Sequence, residues 1–232
     1  MKVLVTGSRG IGKAIALELS KAGHELLLVS KDYKNLKRTS ECIGKLYNSE
    51  VLFYQCELSN KNEINKLFKF CEEKFSPDVL ILNAGIFLEG SLTNSNTESF
   101  QKILDVNLFS IYNLVKTFVG ELKKKENPKI ILIGSIAGME SYSTGALYSV
   151  SKWALKGYAV NLRQELMEFG IGVTILNPGG TLTDMWAGDN IPENRLLEAA
   201  DIGKLVSTIL ELSPQAVVEE IVIRPMLGEV QL

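Results

Sequence analysis

The segment near the start of the chain reads Lys2-Val3-Leu4-Val5-Thr6-Gly7-Ser8-Arg9-Gly10-Ile11-Gly12-Lys13-Ala14. Its apolar first half predicts a buried strand, and the spacing of apolar residues after the glycines predicts a helix. Glycines permit a tight turn and let a diphosphate approach the backbone, while the new helix presents free N–H groups to phosphate. Because a plain strand–helix connection can look the same, the glycine turn alone is a weak signal.

Beyond this segment, short β-rich runs alternate with longer helical patterns. The predicted strands are Lys2–Val5, Glu25–Val29, Val51–Tyr54, Val79–Leu82, Lys129–Ile133, Gly172–Leu176 and Glu220–Ile223. The predicted helices are Ile11–Ala22, Tyr33–Tyr47, Lys61–Phe75, Thr97–Lys125, Gly145–Phe169 and Ala199–Leu212. Several strands are almost purely apolar, which is typical of parallel strands covered on both faces. The pattern predicts an α/β fold with a doubly wound, parallel, seven-stranded, Rossmann-like sheet, in which functional residues follow the carboxyl ends of the strands.

The composition disfavours several classes of function. With 25 Lys and Arg against 27 Asp and Glu, the net charge of −2 gives no general attraction to nucleic acid or to a membrane surface. A single histidine disfavours His-based metal sites and Ser-His-Asp hydrolases, so no metal is predicted. Three cysteines without a CxxC pair, and no leader-like N-terminus, favour a cytoplasmic protein with reduced thiols.

The end of the second predicted strand bears on the choice of dinucleotide. An acidic residue there binds the ribose 2′-hydroxyl of NAD, whereas a basic residue meets the 2′-phosphate of NADP. Here Lys31 stands at that end, and Arg9 of the glycine turn and Ser30 can join it. Asp32 is the competing signal, but it can also cap the helix that begins at Tyr33. The pattern favours NADP(H) over NAD(H).

Tyr148 and Lys152 lie four residues apart, on one face of a predicted helix. A phenol is a poor acid at neutral pH, and a neighbouring ammonium favours the phenolate and lowers the phenol's pKa. Reduction of a carbonyl needs a hydride on carbon and a proton on oxygen, and Tyr148 can give the proton. Ser135, after an apolar strand, can hydrogen-bond the carbonyl oxygen. Taken alone, Tyr-x-x-x-Lys is equally typical of an amphipathic surface helix.

In their order along the chain, these motifs resemble the short-chain dehydrogenase/reductase family, in its ordinary single-domain form. The resemblance runs from Thr6 to Pro225 and implies the strand order 3-2-1-4-5-6-7. Its motifs are the glycine turn Thr6–Gly12, Asn83-Ala84-Gly85, Asn107, Ser135, Tyr148 with Lys152, and Asn177-Pro178-Gly179-Gly180. Each motif is unspecific alone, whereas all six in order are highly specific.

The resemblance implies roles for the matching residues. Ser135, Tyr148, Lys152 and Asn107 would be catalytic, with Asn107 holding a water that links Lys152 to solvent. Asn83 would brace the sheet or contact the ligand. The implied cofactor-binding residues are Thr6, Gly7, Ser8, Arg9, Gly10, Ile11, Gly12, Ser30, Lys31, Glu57, Leu58, Asn83, Ala84, Gly85, Tyr148, Lys152, Pro178, Gly179, Thr181 and Thr183.

Two positions depart from the family's usual pattern. Only Ser8 and Arg9 separate Gly7 from Gly10, so the turn is one residue short, which removes roughly 3.5 Å of reach. Glu57 stands where the family often has an aspartate for the adenine amine, and its carboxylate reaches one methylene further.

The substrate end carries apolar and aromatic residues without clustered Lys or Arg, which favours an uncharged ketone or aldehyde. The predicted lining residues are Phe87, Met139, Tyr142, Met185 and Trp186, with Leu147 beside them. We expect at least two of these six to pack in the lid or the core instead. Residues 1–232 are predicted to form a single dinucleotide-binding domain with a small substrate lid near 181–198.

Several functions share these motifs. An NADP(H)-dependent carbonyl reductase or alcohol dehydrogenase is favoured, and a 3-oxoacyl thioester reductase and a non-catalytic NADP-binding regulator are the alternatives. A sugar epimerase or dehydratase would need an added substrate region. The apolar stripe of Thr97–Lys125 and the helix after Tyr148 predict a homodimer or homotetramer.

Overall fold

The computed structural model describes residues 1–142, 145–184 and 191–229. Seven parallel strands form one sheet in the order β3-β2-β1-β4-β5-β6-β7, which confirms the predicted fold class. The strands are β1 (Lys2–Thr6), β2 (Glu25–Ser30), β3 (Val51–Gln55), β4 (Val79–Leu82), β5 (Lys129–Ile133), β6 (Gly172–Pro178) and β7 (Glu220–Ile223). The helices are α1 (Gly10–Lys21), α2 (Tyr33–Tyr47), α3 (Lys61–Lys74), α4 (Thr97–Leu104), α5 (Ser110–Leu122), α6 (Ala146–Leu166) and α7 (Ala199–Glu211).

The central strands are buried on both faces. Every residue of β4 and β5 is buried, as their continuous apolar sequence predicts. Leu4 of β1 is aligned with Leu27 of β2 on one side and with Leu80 of β4 on the other. The carboxyl ends of the strands therefore reach one edge of the sheet together, where the glycine turn and the loops after β4, β5 and β6 begin.

Helices cover the two faces of the sheet in separate layers. Apolar residues of α3, α5 and α6 pack in one core, which includes Leu67, Phe118 and Leu155. Those of α1, α2 and α7 pack in the other, which includes Ile15 and Ile202. Because each layer buries one apolar helix face against the sheet, this is a doubly wound fold.

The region predicted as one helix over Thr97–Lys125 has a local difference. A π-helical turn over Asp105–Phe109 separates α4 from α5. Asn107 lies at the middle of this turn and is fully buried. Single π turns inside helices often occur at functional sites, and the periodicity of apolar residues does not reveal them.

The structure also bears on the predictions for the cap of α2, the cysteines, membrane spans and the lid. Asp32 caps α2, since its side chain accepts a hydrogen bond from the Asn35 N–H at 3.0 Å. Cys56 and Cys71 are buried free thiols. Among the described residues, we find no helix long and apolar enough to span a membrane. The single domain with a lid near 181–198 stays a prediction, and residues 185–190 lie outside the described residues.

Candidate active site

The glycine turn leads from β1 into α1. Gly7 and Gly10 have φ values of 96° and 49°, which favour glycine. A Cβ on Gly12 would lie 2.6 Å from the Gly7 carbonyl oxygen and 2.7 Å from Asn83 Nδ2. The Gly7 N–H donates to the Val29 carbonyl at 2.8 Å, which ties the turn to β2. The shortened turn is thus fixed by close backbone contacts that a larger residue would disrupt.

Thr6 and Asn83 join the glycine turn to the end of β4. The Thr6 hydroxyl accepts the N–H groups of Asn83 and Ala84 at 2.9 and 3.0 Å and lies 3.3 Å from the Ile81 carbonyl, to which it donates. Asn83 Nδ2 donates to the Thr6 carbonyl at 2.9 Å. These bonds use the full capacity of the Thr6 hydroxyl. Thr6 therefore joins two strands through its side chain, and Asn83 braces the sheet as the family resemblance implies.

The N-terminus of α1 fits a phosphate group. Its N-cap residue, Arg9, makes no capping hydrogen bond through its side chain, and the first turn carries no acidic residue. By comparison, α2, α3 and α4 are capped by Asp32, Asn60 and Asn96, whereas α6 and α7 also begin without a side-chain cap. The first N–H groups of a helix and its dipole attract an anion. The cradle formed by the glycines thus fits a diphosphate, as the dinucleotide hypothesis requires.

Two predicted phosphate-binding cations already have acidic neighbours. Arg9 Nη1 lies 3.6 Å from Asp184 Oδ2, and Lys31 Nζ lies 3.6 Å from Glu57 Oε2. Glu57 Oε1 also accepts from the Ser59 hydroxyl at 3.0 Å. All four charged side chains are solvent-exposed, so the ion pairs are weak and can exchange partners.

Four more of the predicted cofactor residues lie around the glycine turn and the ends of the strands, and they differ in burial. Ser8 and Leu58 are buried, and Leu58 packs in the core of the α3, α5 and α6 layer, so any contact they make with a ligand is through the backbone. Ser30 accepts the Asp32 N–H at 3.2 Å at the exposed end of β2. Gly85 lies against Asn107, whose Oδ1 would be 3.3 Å from an added Cβ.

The loop after β5 and the start of α6 bring the predicted catalytic residues together. Ser135 Oγ accepts from the Ala137 N–H at 3.1 Å, and the Ser135 side chain also hydrogen-bonds with Tyr148. Lys152 Nζ donates to the Ile133 carbonyl at 2.9 Å and lies 5.5 Å from the centre of the Tyr148 ring. The serine, the phenol and the ammonium thus lie at the carboxyl edge of the sheet.

Burial dominates the acid–base properties of this group. It raises the pKa of Tyr148 to about 12, while the hydrogen bond with Ser135 acts in the opposite direction. It also lowers the pKa of Lys152 to about 8. The expected lowering of the Tyr148 pKa is not seen in this structure, because desolvation is the larger effect and the Lys152 ammonium is directed at a backbone carbonyl.

Asn107 connects the loop after β4 to α6. Its Oδ1 accepts the Ile86 N–H at 2.8 Å, and its Nδ2 donates to the Ile86 carbonyl at 2.9 Å and to Ser151 Oγ at 3.0 Å. The side chain therefore holds the loop after β4 against the helix that carries Tyr148 and Lys152. Its predicted water-binding role stays a prediction.

The substrate side is only partly as predicted. The Phe87 ring lies edge-on to the Tyr148 ring at 5.3 Å between centroids and to the Tyr142 ring at 6.4 Å. Met139, at the end of the short turn that follows Ser135, is partly buried, whereas Leu147 is buried in the protein, as expected for some of the six. Met185 and Trp186 lie outside the described residues.

The loop after β6 carries contacts that sequence reasoning missed. The Thr181 hydroxyl donates to the Gly179 carbonyl at 2.9 Å, and a Cβ on Gly10 would lie 3.0 Å from Thr183 Cγ2. However, the Cα of Gly179 faces the carboxylate of Glu229, which belongs to the C-terminal segment. No motif marks Glu229 in the sequence, so only the folded chain brings it here.

Known proteins share this architecture. A family model described as short chain dehydrogenase matches residues 1–194. An uncharacterized oxidoreductase of Staphylococcus epidermidis is 30% identical over 225 residues, with 96% of both chains covered. The 3-oxoacyl-acyl-carrier-protein reductase of Haemophilus influenzae is 34% identical over 216 residues, 88% of both chains. A metagenomic short-chain oxidoreductase solved in complex with NADP is 28% identical, with a TM-score of 0.85 over 97% of both chains.

Proposed function

Since the chain belongs to the short-chain dehydrogenase/reductase family and is an NAD(P)-dependent oxidoreductase, we propose that it reduces an uncharged ketone or aldehyde with NADPH, or runs the reverse reaction. The observation that carries this proposal is the meeting of Ser135, Tyr148 and Lys152 at the carboxyl edge of the sheet. The nearby rings of Phe87 and Tyr142 support a substrate without charge.

In this proposal the bound nicotinamide supplies the hydride, and the chain handles the proton. Tyr148 Oη donates its proton to the carbonyl oxygen as negative charge develops there. Ser135 Oγ hydrogen-bonds the same oxygen and stabilises that charge. Lys152 holds a ribose hydroxyl and favours the return of a proton to Tyr148. Asn107 keeps α6 in place against the loop after β4.

The preference for NADP(H) rests on Arg9 and Lys31. Both are exposed and basic and flank the adenosine end of the glycine cradle, where a 2′-phosphate can replace Asp184 and Glu57 as their partner. The 28%-identical metagenomic oxidoreductase was solved with NADP, which supports the same choice here.

Arg9→Ala and Lys31→Ala are each expected to raise the Kd for NADPH about tenfold, because one charge-assisted hydrogen bond to phosphate is lost. The Kd for NADH is expected to stay within about twofold, since NADH lacks that phosphate. Titration of cofactor fluorescence measures both constants. Lys37→Ala is the matched control, because Lys37 pairs with Glu41 on the surface of α2. Equal losses for the two cofactors would contradict the assignment of Arg9 and Lys31.

A second candidate is a 3-oxoacyl thioester reductase, favoured by the 34%-identical relative from Haemophilus influenzae. A panel of uncharged ketones, aldehydes and a 3-oxoacyl thioester, assayed with NADPH and NADH, separates the two functions by kcat/KM. A non-catalytic cofactor-binding regulator would bind NADPH and turn over no member of the panel. Turnover of the thioester alone would replace the first proposal with the second.

We also propose that the chain forms a homodimer or homotetramer through α4, α5 and α6. Large apolar side chains on this surface are exposed, namely Phe109, Tyr112, Trp153 and Val160. These side chains lie on the π turn, α5 and α6, and exposed apolar side chains on neighbouring elements are typical of an association surface. It continues the apolar stripe that the sequence predicts for this region.

Trp153→Asp is expected to raise the dimer Kd at least 100-fold, because an indole that the proposed interface would bury is replaced by a charge. Light scattering at micromolar concentration measures the mass of the particle. Leu46→Asp is the control, since Leu46 is also exposed, even more than Trp153, but lies on α2, in the opposite layer. A wild-type monomer at that concentration would refute the proposed assembly.

A further inference from the structure

Three charged side chains form a cluster beside the proposed active site. Arg224 follows β7, and its Nη1 and Nη2 donate to the two carboxylate oxygens of Glu140 at 3.1 and 3.2 Å. Arg224 Nη1 also lies 3.6 Å from Glu229 Oε1. A two-bond contact of a guanidinium with a carboxylate fixes orientation as well as distance. We refer to Glu140, Arg224 and Glu229 as the carboxylate clamp.

One end of the carboxylate clamp is attached to the catalytic turn. Glu140 lies at the end of the short turn that begins at Ser135, and its N–H donates to the Ile136 carbonyl at 3.2 Å. Ser149, the neighbour of Tyr148 on α6, donates its hydroxyl to the Ala137 carbonyl at 2.7 Å within the same turn. A shift of Glu140 would therefore change the positions of both Ser135 and Tyr148.

The other end is attached to the loop after β6. The Gly180 N–H donates to Glu229 Oε2 at 3.0 Å. A Cβ on Gly179 would overlap Glu229 Oε1 and would lie 2.9 Å from Pro225 Cδ. Gly179 thus leaves room for the carboxylate, which lies against the start of the loop after β6.

One buried oxygen of Glu229 sets this cluster apart from an ordinary surface ion pair, although the Glu229 side chain as a whole is 23% exposed and that of Glu140 is 49% exposed. Glu229 Oε1 is buried and makes no hydrogen bond within the described residues. A buried carboxylate oxygen without a hydrogen bond is unfavourable, and the Arg224 guanidinium supplies the compensating charge 3.6 Å away. Exposed ion pairs add little stability, so a cluster with a buried oxygen at a loop of the site points to a role in geometry.

We propose that Glu229 and Arg224 are positioning residues for carbonyl reduction. They connect the loop after β6 with the Ser135 turn, so that the reactive end of the cofactor and the proton donor keep a fixed separation. Neither residue needs to contact the substrate. This inference rests on the proposed function, because it assigns the clamp to the same reaction.

Glu229→Ala is expected to lower kcat about tenfold in the full-length protein, because small misplacements of reacting groups are costly. KM and the Kd for NADPH are expected to stay within threefold. Glu229→Gln keeps an acceptor for the Gly180 N–H and should recover most of kcat, whereas Arg224→Met should behave like Glu229→Ala. Hydrogen exchange of the peptide that contains Gly180 should become at least tenfold faster in Glu229→Ala.

Arg163→Met is the matched control. Arg163 lies on α6, and its Nη1 is 3.0 Å from Oε2 of Glu219, the residue before β7, so the variant breaks an ion pair outside the carboxylate clamp. It should leave kcat and the exchange at Gly180 unchanged. An unchanged kcat in Glu229→Ala, or an equal loss in Arg163→Met, overturns the positioning role. If the wild-type protein turns over no carbonyl, the proposed function fails separately, and unchanged exchange at Gly180 then overturns the clamp as well.

Discussion

Tyr148→Phe is expected to lower kcat for carbonyl reduction about 10³-fold, because proton transfer from a positioned side chain contributes on the order of 10²- to 10⁴-fold. The phenylalanine ring can keep the edge-on contact with Phe87. The protein should therefore fold normally and bind NADPH within about threefold of the wild-type Kd. Single-turnover kinetics with a ketone found active in the panel measures the loss at the chemical step.

The pH dependence of the wild-type protein follows from the same residue. Burial raises the pKa of Tyr148 to about 12, so the phenol is protonated throughout the neutral range. Carbonyl reduction uses this protonated form and should show no fall caused by Tyr148 between pH 6 and 9. Alcohol oxidation uses the phenolate, so its rate should rise with pH over that interval. Initial rates in both directions across the interval provide the measurement.

Tyr158→Phe is the control for Tyr148→Phe, because Tyr158 lies on the same helix and packs against the core away from Ser135. Tyr158→Phe also removes a phenolic hydroxyl, but one outside the site, and should keep kcat within twofold. Full turnover by Tyr148→Phe with a proven substrate would show that another group protonates the carbonyl oxygen.

Local signals account for the parts of this structure that sequence reasoning predicted well. β4 and β5 are buried on both faces, and their sequences are therefore nearly continuous apolar runs. The predicted bounds of both strands match the structure. Asp32 caps α2 as its position before Tyr33 suggests. Glycine spacing also located the turn after β1, since positive φ values are needed there.

Contacts between distant parts of the chain account for what sequence reasoning missed. The side chain of Asn107 in the π turn hydrogen-bonds with Ile86, which belongs to another loop. Glu140 and Arg224 are 84 residues apart, and no periodic pattern joins them. The pKa of Tyr148 depends on how deeply the fold buries it, which the Tyr-x-x-x-Lys spacing alone does not reveal.

Lys152→Met is expected to stabilise the cofactor-free protein at pH 7 while it lowers kcat at least 100-fold. Lys152 is buried, and burial lowers its pKa from 10.5 to about 8. Each pKa unit corresponds to about 1.4 kcal/mol, so the buried ammonium costs roughly 3 kcal/mol of folding free energy. Methionine fills similar space without charge, but the Ile133 carbonyl then loses its 2.9 Å hydrogen bond, which costs about 1–2 kcal/mol. The net gain is about 1–2 kcal/mol.

The sign of this effect can be checked through its pH dependence. Below pH 8 the lysine is protonated in both the folded and the unfolded chain, so the wild-type protein bears the full cost. Between pH 8 and 10.5 the folded chain releases its proton first, so the advantage of Lys152→Met should shrink as pH rises. Thermal unfolding at pH 7 should show a Tm increase of about 2–6 °C. Lys156→Met, one turn along α6, breaks an ion pair with Glu220 and should instead lower Tm. A lower Tm for Lys152→Met at pH 7, or a gain that is independent of pH, would mean that the ammonium is held there without cost.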